Sequence, residues 1–137
     1  MEEKEELKIV KGIHHLGLAV SDLAGSSSFF CDLLGWNKVR KIDDYPAIFV
    51  SNGRIMFTLW QTGDGSTPFD RNRSIGLHHA ALKMDSKEEL MKSYKNIEKS
   101  DLVHVKFSPE PLRGGPAQHM ICIEPSGIRV EFIWAPE

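Results

Sequence analysis

The sequence is poor in cysteine and contains no long apolar segment. Its two cysteines, Cys31 and Cys122, lie in different halves of the chain and lack the paired spacing of a disulfide framework or a zinc knuckle. No apolar run is long enough to cross a bilayer, and residues 1–8 are charged, unlike a secretion signal. We therefore expect a cytoplasmic protein with reduced thiols and no membrane contact.

The sequence also lacks a strong excess of charge of either sign. Its 137 residues include 17 Lys and Arg against 19 Asp and Glu, a formal net charge of −2. Nucleic-acid binding depends on concentrated positive charge, so we expect no nucleic-acid partner and predict a small-molecule substrate instead. The hydrophobic fraction of 41% is sufficient to fill the core of one domain of this length.

The most informative feature that is present is an internal repeat. The segment at residues 12–20, Gly-Ile-His-His-Leu-Gly-Leu-Ala-Val, returns at residues 76–84 as Gly-Leu-His-His-Ala-Ala-Leu-Lys-Met. A repeat of this length indicates two copies of one supersecondary unit, with His15 and His79 at equivalent places. Equivalent histidines in paired units can converge on one point, which predicts a shared metal site.

Each copy has the apolar periodicity of a strand, a helix and three further strands. We predict an α+β fold of two βαβββ modules, residues 12–62 and 75–135, joined by a linker at 63–74. Together they form a single domain, 12–137, preceded by a flexible lead at 1–11. Each module should form a curved mixed sheet with a helix on one side, and the other faces of the two sheets should form a cup. Ser21-Asp22 and Asp85 are predicted to open the helices. The predicted strands are 13–20, 37–42, 45–50, 54–60, 77–84, 103–107, 118–123 and 128–134.

Two hairpin turns set the predicted registers. Asn52-Gly53 is a favoured two-residue loop, and it pairs Ser51 with Arg54. The second turn, 124–127, pairs Glu124 with Gly127 and thereby places Met120 opposite Glu131. These registers direct a mostly apolar set of side chains into the cup: Tyr45, Phe49, Met56, Trp60, Met120 and Cys122.

Strand alternation also places His15, Thr58, His79 and Glu131 on the cup face, since the opposite sides of their strands are apolar. Two neutral imidazoles and one carboxylate form an open donor set for one divalent ion such as Zn, Ni, Fe or Mn. His119 is expected on the wrong side of its strand. The remaining histidines, His14, His78 and His104, are interpreted as structural.

Four segments together resemble one known family: 15–23, 29–35, 76–81 and 124–132. The chain is similar to the vicinal oxygen chelate superfamily of glyoxalases, bleomycin-resistance proteins and extradiol dioxygenases. The resemblance covers residues 12–134 and implies paired βαβββ modules with a metal held by His15, His79 and Glu131. It departs from glyoxalase I enzymes at Thr58, where they carry a fourth, glutamate ligand.

The resemblance implies a metal-dependent isomerase or lyase of the glyoxalase type, acting on a small substrate that binds the ion through adjacent oxygens. Glu131 would be its catalytic carboxylate. The expected substrate contacts are Thr58, Trp60, Tyr45, Met120 and Arg113, the last on a loop at 109–116. Alternatives are a ring-cleaving dioxygenase, an antibiotic-modifying thiol transferase, or a protein that binds a drug or metabolite without catalysis. The resemblance also favours a homodimer, and the sequence leaves open whether the cup closes within one chain or between two.

Overall fold

The computed structural model describes residues 2–137, which contain eight strands and three α-helices. The first half comprises α1 (Glu2–Leu7), β1 (Leu16–Val20), α2 (Leu23–Ser28), β2 (Asn37–Ile42), β3 (Ala47–Ser51) and β4 (Met56–Gln61). The second half comprises β5 (Ala80–Lys83), α3 (Lys87–Glu98), β6 (His104–Pro111), β7 (Gln118–Ile123) and β8 (Arg129–Trp134). A π-helical turn, Phe29–Leu33, extends α2, and a short 3-10 turn, Leu112–Gly114, follows β6.

The strands form two four-stranded mixed sheets with the same topology. Their orders are β1-β4-β3-β2 and β5-β8-β7-β6, and in each sheet the first strand runs parallel to the last. Gly17 aligns with Thr58 in the first sheet, and Ala81 aligns with Glu131 in the second. The predicted α+β fold of duplicated sheets is confirmed, and Thr58 is the first-sheet counterpart of Glu131.

The helices of the two modules, α2 and α3, each begin at a capping side chain. The Asp22 carboxylate accepts a hydrogen bond from the Gly25 backbone N–H, as the sequence predicts. The cap of α3 is Ser86, one residue after the predicted Asp85, and its hydroxyl accepts from the Glu89 N–H. The π-helical end of α2 leads to Gly35, whose φ of 76° favours glycine.

The core lies between the helix-covered sides of the two sheets. Leu18 and Leu59 of the first sheet, Leu82 and Phe132 of the second, and Leu90 of α3 belong to one buried cluster. Their burial removes the apolar faces of both modules from water in a single core. Each sheet therefore turns its other face, here called its cup face, away from this core.

The first predicted hairpin register is wrong by two residues, and the second is wrong by one. Phe49 lies opposite Thr58 instead of Met56, because the loop spans four residues, 52–55. A shift of two leaves every side chain on its predicted face. In the second hairpin Glu131 lies opposite Ile121, and Met120 lies opposite Phe132. A shift of one reverses β7, so that Met120 and Cys122 face the core and His119 faces the cup.

A buried carboxylate joins the two halves. Glu124, in the turn between β7 and β8, is 2% exposed and accepts hydrogen bonds from Ser26 Oγ of α2 at 2.5 Å and from the backbone N–H groups of Ser126 at 2.6 Å and Ile128 at 3.1 Å. Burial raises the pKa of Glu124, although these three hydrogen bonds oppose the shift. The contact fixes α2 against the hairpin of β7 and β8.

The N-terminal lead, predicted to be flexible, contains the short helix α1, which favourable helix formers explain. Residues 3–14 are exposed, so this segment does not contribute to the core. Within residues 2–137 no helix has the length and apolar character that crossing a membrane requires.

Candidate functional site

The cup face of the second sheet carries a cluster of His79, Glu131 and His119. His79 Nε2 lies 3.5 Å from Glu131 Oε1, and His119 Nδ1 lies 2.6 Å from Glu131 Oε2. Since an ionised carboxylate only accepts, His119 Nδ1 carries the proton of this bond. His119 and Glu131 are both buried, at 8% and 9% exposure, whereas the His79 side chain is 38% exposed. The cluster thus has a fixed carboxylate and an accessible imidazole.

The spacing of His79 and Glu131 suits two ligands of one divalent ion. Donors about 2.1 Å from a zinc-like ion in tetrahedral geometry lie about 3.4 Å apart, close to the 3.5 Å separation found here. Ligating carboxylates are commonly held by a second hydrogen bond, which His119 supplies to the other oxygen of Glu131. These residues fit a metal, with Oε1 of Glu131 and Nε2 of His79 as its donors.

Each candidate histidine is oriented by the histidine before it. His78 Nδ1 lies 2.8 Å from His79 Nδ1, and His14 Nδ1 lies 2.9 Å from His15 Nδ1. If the second histidine of each pair donates through Nδ1, its Nε2 keeps a lone pair for a metal. His14 and His78, interpreted from sequence as structural, contact the ring of the following histidine, and the repeat of the whole doublet was the available signal for this pairing.

His15 is not part of the His79–Glu131 cluster. Its contact is with His14, and among the described residues no three His, Cys, Asp or Glu side chains are grouped so that they could hold a metal ion. The predicted three-ligand set is therefore not assembled within one chain, because His79 and Glu131 meet on the second sheet whereas His15 precedes β1 of the first. One chain brings together two of the three predicted donors.

Aromatic side chains cover the equivalent place on the first sheet. Trp60 Nε1 donates to Thr58 Oγ1 at 2.9 Å, and the ring of Trp60 contacts Tyr45 at 5.3 Å and Phe49 at 5.7 Å between centroids. A Cβ on Gly17 would lie 3.3 Å from Thr58 Oγ1, so glycine leaves space for this pair. Where glyoxalase I carries a carboxylate, this chain has a hydroxyl bound to an indole.

Two of the predicted substrate contacts, Met120 and Arg113, do not lie on either cup face. Met120 is fully buried in the core, and its predicted place on the cup face is wrong because of the register shift in β7. Arg113 is exposed in the turn between β6 and β7, with a φ of 51°, and makes no polar side-chain contact among the described residues. His119, which sequence reasoning excluded, lies on the cup face, and Ile121 takes the place opposite Glu131 that Met120 was predicted to have.

Comparison with known proteins identifies the class to which this fold and site belong. A model of the Glyoxalase/Bleomycin resistance protein/Dioxygenase superfamily matches residues 12–132. The chain belongs to this superfamily, and the match includes His15, His79 and Glu131 within its bounds.

Individual relatives are distant. The uncharacterized protein YaeR of Escherichia coli K12 is 28% identical over 86 residues, which are 56% of this chain and 63% of YaeR, less than two thirds of that protein.

Solved structures share the fold at low identity. A glyoxylase/bleomycin resistance protein/dioxygenase domain from Frankia sp. EAN1pec superposes with a TM-score of 0.81 at 20% identity, covering 93% of this chain and 94% of that one. The fosfomycin resistance protein FosX of Listeria monocytogenes superposes with a TM-score of 0.73 at 17% identity. Lactoylglutathione lyase of Agrobacterium tumefaciens superposes with a TM-score of 0.71 at 22% identity. Each of these two matches covers 93% of this chain and 96% of the other. At these identities the likeness shows the fold alone.

Proposed function

We propose that the chain is a metal-dependent enzyme of the glyoxalase type, an isomerase or lyase acting on a small substrate that offers two adjacent oxygens to a divalent ion. The observation that carries the proposal is the approach of His79 Nε2 to Glu131 Oε1, with the second carboxylate oxygen held by His119. A carboxylate charge at 9% exposure is costly to bury even when His119 donates to it, and a cation at this place would compensate the charge further.

The residues of the chain suggest a division of roles. The ion, when bound by His79, His15 and Glu131, would polarise the oxygens of the substrate. Glu131 is the only carboxylate of the candidate donor set, so we assign the transfer of a proton between adjacent carbons to its Oε1, which would have to be released from the ion for that step. His119 would hold the other oxygen during that transfer, and Tyr45 and Trp60 would form an apolar wall that excludes water.

We further propose that the site is completed between two copies of the chain. One copy would supply His79 and Glu131, and the other would supply His15 with Thr58 and Trp60. The separation of the donors within one chain supports this arrangement. In a symmetric dimer it would give two equivalent sites. The two free cysteines are consistent with the cytoplasm, where we place the protein.

Mixing two inactive variants tests the shared site. His15→Ala and His79→Ala homodimers should each bind no stoichiometric divalent ion. Refolding them together should form heterodimers with one intact site, so metal content should recover to about a quarter of the wild-type value. His104→Ala, which removes an exposed histidine of β6, is the matched control and should bind metal normally. No recovery in the mixture, together with monomers in light scattering, would refute a site made by two chains.

A substrate panel tests the reaction. We expect turnover of methylglyoxal with glutathione, or of another substrate with adjacent oxygens, by protein loaded with Zn, Ni or Mn. A ring-cleaving dioxygenase is the second candidate, favoured by the single carboxylate beside histidine, the pattern of non-haem Fe(II) oxygenases. Turnover of a catechol by the Fe(II) form alone would support that candidate instead. Absence of metal binding under all conditions would indicate a sequestering protein and exclude the enzyme.

A further inference from the structure

A second cavity, distinct from the His79–Glu131 cluster, lies where β6, the end of β7 and the start of β8 approach the linker. It has a volume of about 380 Å³ and is lined by the linker residues 69–72 and by Lys106, Ile123, Gly127 and Arg129. This volume is in the range of small-molecule sites. The linker thus has a structural role beyond joining the modules, since it forms one wall of the cavity.

The charge of this cavity is opposite to that of the whole chain. Arg71, Lys106 and Arg129 contribute three positive charges, and Asp70 is the one acidic side chain of the lining, whereas the chain carries a formal −2. Asp70 Oδ1 accepts a hydrogen bond from the Asn72 backbone N–H at 2.9 Å. Within the described part of the chain, no ion pair involves any of the three cations. Asp70 therefore compensates their mutual repulsion only in part.

Arg129 has an unmet hydrogen-bonding requirement. Its Nε is buried and has no hydrogen-bond partner among the described residues. Leaving a buried donor of a charged group without an acceptor is unfavourable, and native structures rarely tolerate it without a reason. An acceptor with negative charge would satisfy the Nε donor of Arg129 and would offset the positive charge of Arg71, Lys106 and Arg129.

We propose that this cavity is a binding site for an oxyanion group, the phosphate or carboxylate of a small molecule. The planar fork of Arg129 matches the geometry of either group, and Lys106 and Arg71 add charge around it. A rotation of the Arg129 side chain, whose Nε is shielded from solvent in this structure, would let an oxygen of the ligand accept from Nε and satisfy the donor.

The position of the cavity suggests how it relates to the proposed enzyme. Arg129 and Glu131 are two residues apart on β8, so both face the cup, roughly 7 Å apart along the strand. If the proposed function holds, this cavity would bind the anionic end of the substrate while its adjacent oxygens reach the metal. The substrate class would then be an anionic small molecule. The binding site itself does not depend on a metal.

Calorimetric titration of metal-free wild-type protein, kept in EDTA, tests the site without any turnover. The probes are pyrophosphate and succinate, which separate phosphate from carboxylate binding. We expect saturable binding of at least one probe, weakened about tenfold or more by Arg129→Gln. Arg71→Gln should weaken it in the same direction.

Arg73→Gln is the matched control. Arg73 lies in the same linker but outside the cavity lining, so its replacement should leave the affinity within about twofold. Equal losses in Arg129→Gln and Arg73→Gln would show nonspecific charge attraction and overturn the proposal. Failure of wild-type protein to bind either probe would also overturn it. Because metal is absent throughout, neither result depends on whether the enzyme proposal is correct.

Discussion

Replacement of Glu124 by alanine should destabilise the protein strongly, although the Glu124 side chain belongs to neither candidate site. The change removes the acceptor for three hydrogen bonds, from Ser26 Oγ, Ser126 N–H and Ile128 N–H, at a position that is 2% exposed. Two partly buried backbone donors and the buried Ser26 hydroxyl would lose their acceptor at about 1–3 kcal/mol each, so we expect a total loss of about 3–5 kcal/mol. That is a large fraction of the ~5–15 kcal/mol stability typical of a domain.

Glu124→Gln is the matched control because a glutamine side chain has the same size and shape as a glutamate side chain. Its carbonyl oxygen can accept from Ser126 and Ile128, and its amide can donate to Ser26, whose hydroxyl can then donate to Ser126 Oγ at 2.6 Å. At neutral pH the glutamine variant should therefore lie within about 1 kcal/mol of wild type.

The two proteins should differ in pH dependence. Burial raises the pKa of Glu124 in the folded state above its ordinary value of 4.5. The folded protein then binds the proton of Glu124 more tightly than the unfolded chain does. The stability contributed by this proton is fully present below pH 4.5 and is lost as the pH rises through the raised pKa. Wild-type protein should lose stability relative to Glu124→Gln over that interval as the pH increases.

Urea unfolding followed by fluorescence and circular dichroism measures these differences at several pH values. The alanine variant should also melt roughly 10 °C below wild type. An alanine variant within 1 kcal/mol of wild type would refute the importance of this buried network. A wild-type stability that increases relative to the glutamine variant on raising the pH would contradict the direction of the pKa shift.

Three further predictions concern the site and the core. His119→Ala should weaken metal binding about 10- to 100-fold by releasing Glu131, measured by competition with a chelating dye, whereas His104→Ala should have no effect. Met120→Ala should cost about 2–5 kcal/mol in urea unfolding because it empties a core position, and unchanged stability would mean that β7 has the register predicted from sequence. Burial raises the pKa of Cys122 to about 12, so a thiol reagent at pH 8 should label Cys31 alone in native protein; rapid labelling of Cys122 would contradict its burial.

The candidate site was predictable from sequence to the extent that it depends on the duplicated first strands. His15 and His79 could be found because the repeat includes them, and Glu131 could be found because alternation along β8 separates it from Val130 and Phe132. His119 could not be found in this way. Its face depends on how the 124–127 turn pairs β7 with β8, and a one-residue difference in that pairing moves it from the core to the cup.

The sequence by itself determined the two modules, their α+β composition and the chemical types of the donors, because apolar periodicity and internal repetition are local properties of the chain. The tertiary structure decided which donors meet. Packing of the two modules around one core leaves His15 apart from His79 and Glu131, and it brings Arg71, Lys106 and Arg129 to one cavity. Such long-range juxtapositions depend on how the modules bury their apolar surfaces together, which no local pattern specifies.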